Sequence, residues 1–95
     1  MATYALTSPA NVIRDTFRKV AEIEQVYLAT DGDDGIFAMI VVDAEDYATL
    51  RRIIDLETSI INTLPGTPIE FDIVIREGRP LGDIVSPRGR LLFQR

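Results

Sequence analysis

Between Pro9 and Glu22 the apolar positions fall at helical spacing. Ile13, Phe17, Val20 and Ala21 share one stripe, while Arg14, Asp15, Arg18 and Lys19 take the other side, the pattern of a surface helix packed along one face. Ser8 and Pro9 stand at its start: a hydroxyl suited to the N-cap, and a proline whose fixed φ and missing N–H are harmless in a first turn. The spacing predicts a helix over 9–22. The period then shortens. "QVYLAT" and "IFAMIVVD" are rich in β-branched and aromatic residues, and Asp31, Gly32, Asp33, Asp34 and Gly35 lie between them, which predicts two strands joined as a hairpin.

The second of these runs is apolar on both alternating faces, with Ile36, Ala38, Ile40 and Val42 on one and Phe37, Met39 and Val41 on the other. It reads as a central strand that is covered on both sides or lies at a contact between subunits. A long helix is expected over 44–64, with Asp43 able to cap the N–H of Asp46 and with "LPGTP" ending it. "IEFDIVI" alternates as a third strand, Ile69, Phe71, Ile73 and Ile75 against Glu70, Asp72, Val74 and Arg76. "EGRPLGDIVSPRG" reads as loop, and "RLLFQ" is a candidate short final strand. A strand, a helix and a strand in that order join parallel strands. The predicted fold is therefore α+β and two-layered: a small mixed sheet in the order α-β-β-α-β, with two helices.

Length and composition narrow the function classes. Ninety-five residues, 46% of them apolar, make a single domain over 1–95. With no cysteine and no histidine, disulfides, thiolate nucleophiles, zinc sites and imidazole proton shuttles are excluded within one chain. The opening residues lack a basic region followed by an apolar run, and no stretch approaches the roughly 18 apolar residues of a membrane span. The expected setting is cytoplasmic, with no membrane partner. A net charge of -5 argues against general nucleic-acid binding. Residues 1–75 hold five basic and thirteen acidic side chains, whereas 76–95 hold Arg76, Arg79, Arg88, Arg90 and Arg95 against Glu77 and Asp83. An acidic body thus carries a basic tail. These arginines either pack the tail onto the body or offer an anion or partner site.

Three aspartates in the four positions 31–34 raise the question of a metal. A calcium loop needs a glycine at its sixth place and a carboxylate at its twelfth; counting from Asp31, those places hold Ile36 and Val42. Two Asp-Gly pairs, at 31–32 and 34–35, instead suit a tight turn needing positive φ. No metal and no cofactor are expected.

One residue of the long helix breaks its own pattern. Tyr47, Leu50, Ile53, Ile54, Ile60, Ile61 and Leu64 form one broad apolar stripe, and Glu57 lies in the middle of it. A buried carboxylate normally finds a partner or takes up a proton. Glu57 is expected either to anchor the tail, accepting from an arginine or from the backbone of 77–83, or to serve as an acid or base beside Asp72. Glu57, Asp72, Arg76 and Arg79 are thus the candidate polar site.

The element order, helix, strand, turn, strand, long helix, strand, is similar to that of the minimal nucleotidyltransferase domains of bacterial antitoxin pairs. That family carries a Gly-Ser signature after its first strand, where this chain has Ala29-Thr30-Asp31, and two carboxylates one residue apart on the next strand, where it has Phe37, Ala38 and Met39. Asp72 alone falls where the family's third carboxylate lies, and one carboxylate does not hold the two metal ions of phosphoryl transfer. The resemblance implies a catalytically dead relative. The ending "REGRPLGDIVSPRGRLLFQR" also resembles the endings of other small bacterial proteins. The residues together point to a non-catalytic interaction module, expected as a homodimer. A phosphate- or nucleotide-binding enzyme using Glu57, Asp72 and the tail arginines is the alternative, and a toxin-antitoxin component is a third reading.

Overall fold

The computed structural model describes residues 8–30, 35–83 and 89–95. Helix α1 (Pro9–Phe17) is followed by strands β1 (Ile23–Thr30) and β2 (Ile36–Val42), helix α2 (Tyr47–Thr63), strand β3 (Ile69–Ile75), a 3₁₀ turn at Leu81–Asp83 and strand β4 (Arg90–Gln94). The strands form one sheet in the order β3-β2-β1-β4. β1 runs antiparallel to both β2 and β4, and β2 runs parallel to β3 through the α2 crossover. The fold is the two-helix α+β domain with a mixed sheet that the periodicities predict, and the final strand is present.

Both helices lie on one face of the sheet. Ile13 and Phe17 of α1 and Ile53 and Ile60 of α2 share a core with Val26, Leu28, Ala38, Ile40 and Val42. Phe17 meets Phe71 of β3 edge to face, ring centres 6.0 Å apart, a favoured aromatic arrangement. The opposite face carries a smaller cluster in which Met39, Val41 and Val74 are buried, with Tyr27, Phe37 and Leu81 packed on it. β2 is therefore covered on both faces within one chain, so it does not need a second subunit to cover it.

Three local expectations shift. α1 is shorter than 9–22: after Phe17 the chain turns, and Val20 enters the core from the turn, its N–H bonded to the Phe17 carbonyl. Ser8 does cap α1, accepting from Asn11 N at 3.3 Å. α2 begins at Tyr47 rather than Ala44, and its cap is Asp46, not Asp43. Asp46 Oδ2 accepts from Thr49 N at 3.2 Å and from Thr49 Oγ1 at 2.5 Å. Asp43 is occupied elsewhere, because its Oδ1 accepts from Gly78 N at 2.8 Å and lies 3.4 Å from Arg76 Nη2.

Candidate functional site

The polar groups gather where the tail leaves β3. Within β1 the register against β2 shifts between Ile23 and Gln25, so Glu24 is the extra residue of a bulge. A bulged residue escapes strict alternation and its side chain can be re-aimed. Here the Glu24 carboxylate turns to Arg76, which donates from Nε at 2.8 Å and from Nη2 at 3.2 Å. Arg76 Nη1 donates to the Arg79 carbonyl at 2.8 Å, and Arg79 Nε returns a bond to the Arg76 carbonyl at 3.2 Å. The Glu24 hydrogen bond, followed by the field of Glu24 and Asp43, outweighs the opposing desolvation and holds the Arg76 guanidinium above its usual pKa.

Backbone bonds fix the same corner. Arg76 N bonds to Val42 O at 2.9 Å, and Glu77 N to Asp43 O at 2.7 Å. Glu77 has φ 51, left-handed for a residue other than glycine, a conformation that persists only when its surroundings over-determine it. The bonds to Val42 and Asp43 supply that constraint.

A cleft of about 500 Å³ opens beside this corner, lined by Glu24, Gln25, Arg76, Leu81, Gln94 and Arg95, with Ala21. Its second cation is also engaged. Arg95 Nε donates to Ile23 O at 2.7 Å, and Nη2 donates to Arg18 O at 2.6 Å and to Val20 O at 2.9 Å. Arg18 is the C-cap of α1, so the guanidinium satisfies carbonyls left over where that helix ends. The arrangement ties Arg95 to the turn between α1 and β1, Arg76 to the bulge of β1, and residues 77 and 78 to Asp43. As chemistry, it is a set of ion pairs and carbonyl contacts.

The four residues singled out from the sequence separate into two places. Arg76 and Arg79 come together through their mutual backbone contacts. Asp72 is exposed on β3 and shares its sheet face with Val74, because Ile69, Phe71, Ile73 and Ile75 face the helices. Glu57 is half-buried on α2, on the other side of the sheet. The structure does not bring Glu57 and Asp72 around one cleft. Nor does Glu57 reach an arginine or the backbone of 77–83: among the described residues it makes no hydrogen bond or ion pair. Burial, without a compensating partner, pushes its carboxyl pKa up. The sequence reading missed Glu24, gave Asp43 the role of a helix cap, and took Arg95 only as one of the tail arginines. Glu24 left a trace, since Glu24-Gln25 sets two polar residues side by side between Ile23 and Val26 and so interrupts strand alternation.

Among the described residues no group of three acidic side chains is placed to hold a metal ion; Asp31, Asp33 and Asp34 lie outside them. No described helix is long and apolar enough to cross a membrane.

The outer side of α2 differs from this polar corner. Tyr47 is 74% exposed, Ile54 53% and Ile61 47%. They recur every seven residues, drifting only about 20° around the helix per step, so they form one row along its length. The apolar stripe read from the sequence is wider than the face that the sheet and α1 cover.

Compared with protein-family models, with curated proteins and with solved structures, the chain finds no match.

Proposed function

We propose that this chain is a non-catalytic interaction module that works as a homodimer. The observation that carries the reading is the row of Tyr47, Ile54 and Ile61 on α2, three large apolar side chains held in water on a rigid element. Contiguous exposed apolar patches of this kind mark interaction surfaces. The polar corner supports the same reading from the other side. Arg76 and Arg95 donate to Glu24, Asp43 and backbone carbonyls, contacts that brace the fold.

The enzymatic alternative needs Glu57 and Asp72 beside the tail arginines, and their placement on opposite sides of the sheet weighs against it. The resemblance to antitoxin-type nucleotidyltransferase domains fits the interaction reading as that of a relative without catalytic carboxylates, with Asp72 as its one remaining acid.

Sedimentation equilibrium over a range of micromolar concentrations tests the proposal. The expected result is a concentration-dependent mass approaching two chains, shifted toward the monomer by Ile54→Glu. A strictly monomeric mass for the unaltered chain removes the homodimer.

A further inference from the structure

The outward row on α2 has a symmetry of its own. Tyr47 and Ile61 are each seven residues from Ile54, so they stand roughly 10 Å to either side of it along the axis. A two-fold axis at Ile54, perpendicular to the helix, maps the row onto itself. Ile54 then meets Ile54 of a second copy, and Tyr47 meets Ile61 of that copy twice. Contacts of this isologous kind close on two chains and leave no open end.

Charge decides the direction in which two such helices pair. Asp43, Glu45 and Asp46 lead into α2, whereas residues 58–68 hold no charged side chain. Parallel pairing sets the two acidic leads side by side on a chain that already carries a net charge of -5. Antiparallel pairing sets each lead against an uncharged helix end and opposes the two helix dipoles. Along α2 itself Arg51 and Arg52 balance Asp55 and Glu57, so the helix as a whole brings no net charge to the contact.

Along one edge of the row the charges also match. Arg51 and Asp55 are both exposed, and neither makes a hydrogen bond or ion pair among the described residues. Under the antiparallel two-fold the same edges of the two helices meet. Arg51 then stands about 3 Å along the axis from Asp55 of the second copy, and symmetry makes the pair twice. Under parallel pairing that edge meets the one bearing Leu50 and Glu57 instead, and the match is lost.

We infer that α2 is the seam of the homodimer, two copies lying antiparallel about Ile54 with Tyr47 against Ile61 and Arg51 against Asp55 of the second copy. This rests on the interaction-module reading. One helix row is a small contact beside the ~800 Å² per partner of a standard interface, so the dimer is reversible and forms at micromolar concentration.

The absence of native cysteine makes introduced cysteines clean reporters. Ile54→Cys, on the axis, should form a disulfide-linked dimer by itself under mild oxidation. Tyr47→Cys alone should not, because the two copies of that site stand about 21 Å apart, but mixing it with Ile61→Cys should give a mixed dimer. In sedimentation, Arg51→Glu and Asp55→Arg should each weaken association roughly three- to tenfold, the effect of two exposed ion pairs, and the doubly reversed chain should recover it. A dimer in which Tyr47→Cys links to itself, none of the three sites links, or the double reversal fails to recover, overturns the antiparallel seam. The homodimer reading survives those results wherever the unaltered chain still dimerises, with the two copies meeting in another direction or on another face. An unaltered chain that stays monomeric at every concentration overturns both.

Discussion

Arg76 meets Glu24 through two hydrogen bonds, 2.8 Å from Nε and 3.2 Å from Nη2, across 52 positions of sequence. The pair joins the bulge of β1 to the start of the tail. Paired guanidinium–carboxylate geometry is stronger and more directional than a single charged contact, and an ammonium group cannot reproduce the fork. Arg76→Ala is expected to lower the urea midpoint and to make residues 76–95 more sensitive to protease. Arg76→Lys should recover only part of the loss. A lysine variant as stable and as protected as the unaltered chain would show that charge alone is enough.

Gly89 is required where β4 begins. It has φ +80, and a Cβ there would run into the Leu28 carbonyl and lie 2.8 Å from Ala29 Cα. Gly78 also has φ +80 but has nothing near the place of a Cβ. Gly78→Ala should lose roughly 1 kcal/mol from backbone strain alone, and Gly89→Ala more than the roughly 3 kcal/mol upper end of such strain. Chemical denaturation ranks the two. Equal losses would mean that β4 does not lie close against β1.

Asp46, rather than Asp43, caps α2 through Thr49, which is buried. Asp46→Ala should cost about 1 kcal/mol and Asp46→Asn less. Because Asp43 serves the tail instead, Asp43→Ala should leave α2 intact by circular dichroism while loosening the turn at Gly78.

Asp31 to Gly35 is expected to bind neither calcium nor magnesium with useful affinity, since positions six and twelve of a calcium loop are Ile36 and Val42. Calorimetric titration checks this, and micromolar binding abolished by Asp31→Asn/Asp33→Asn would refute it.

How much of this was legible in sequence follows from how locally each feature is determined. Ile69 to Ile75 appears as a strand at the residues where alternation placed it, because a half-buried strand writes its period directly into the chain, and the candidate final strand forms at Arg90 to Gln94. The neighbours of the first three strands also followed, from the hairpin and the crossover, whereas the place of β4 beside β1 did not. The end of α1 did not, because Val20 is apolar at helical spacing yet enters the core from a turn. The partners of Arg76 were hidden for a different reason. Glu24 and Asp43 are distant in sequence, and they converge only because β1 begins at the corner where β2 and β3 end. The apolar width of α2 was visible, but which half of it the sheet covers depended on how the helix is rotated on that sheet.

Glu57 gives a pH dependence whose sign can be worked out. It is half-buried on α2, makes no hydrogen bond or ion pair among the described residues, and burial raises its pKa in the folded state. When both folded and unfolded chains hold the proton, in strong acid, the group contributes nothing to stability. As pH climbs from the usual carboxylate range through the raised folded value, the unfolded chain releases its proton more readily, and the native state carries a penalty that is complete once pH exceeds that raised value. Glu57→Gln removes the charge while keeping the shape. It should therefore match or exceed the unaltered chain in stability at pH 7 and converge with it in acid. The gain should be modest, because half-exposure leaves the carboxylate partly hydrated. An anchor for the tail would behave in the opposite way, losing stability in the glutamine variant at neutral pH and still more in Glu57→Ala. Denaturation of the three proteins at pH 7 and pH 4 separates the cases, and a glutamine variant clearly less stable at pH 7 would mean that Glu57 has a partner in solution.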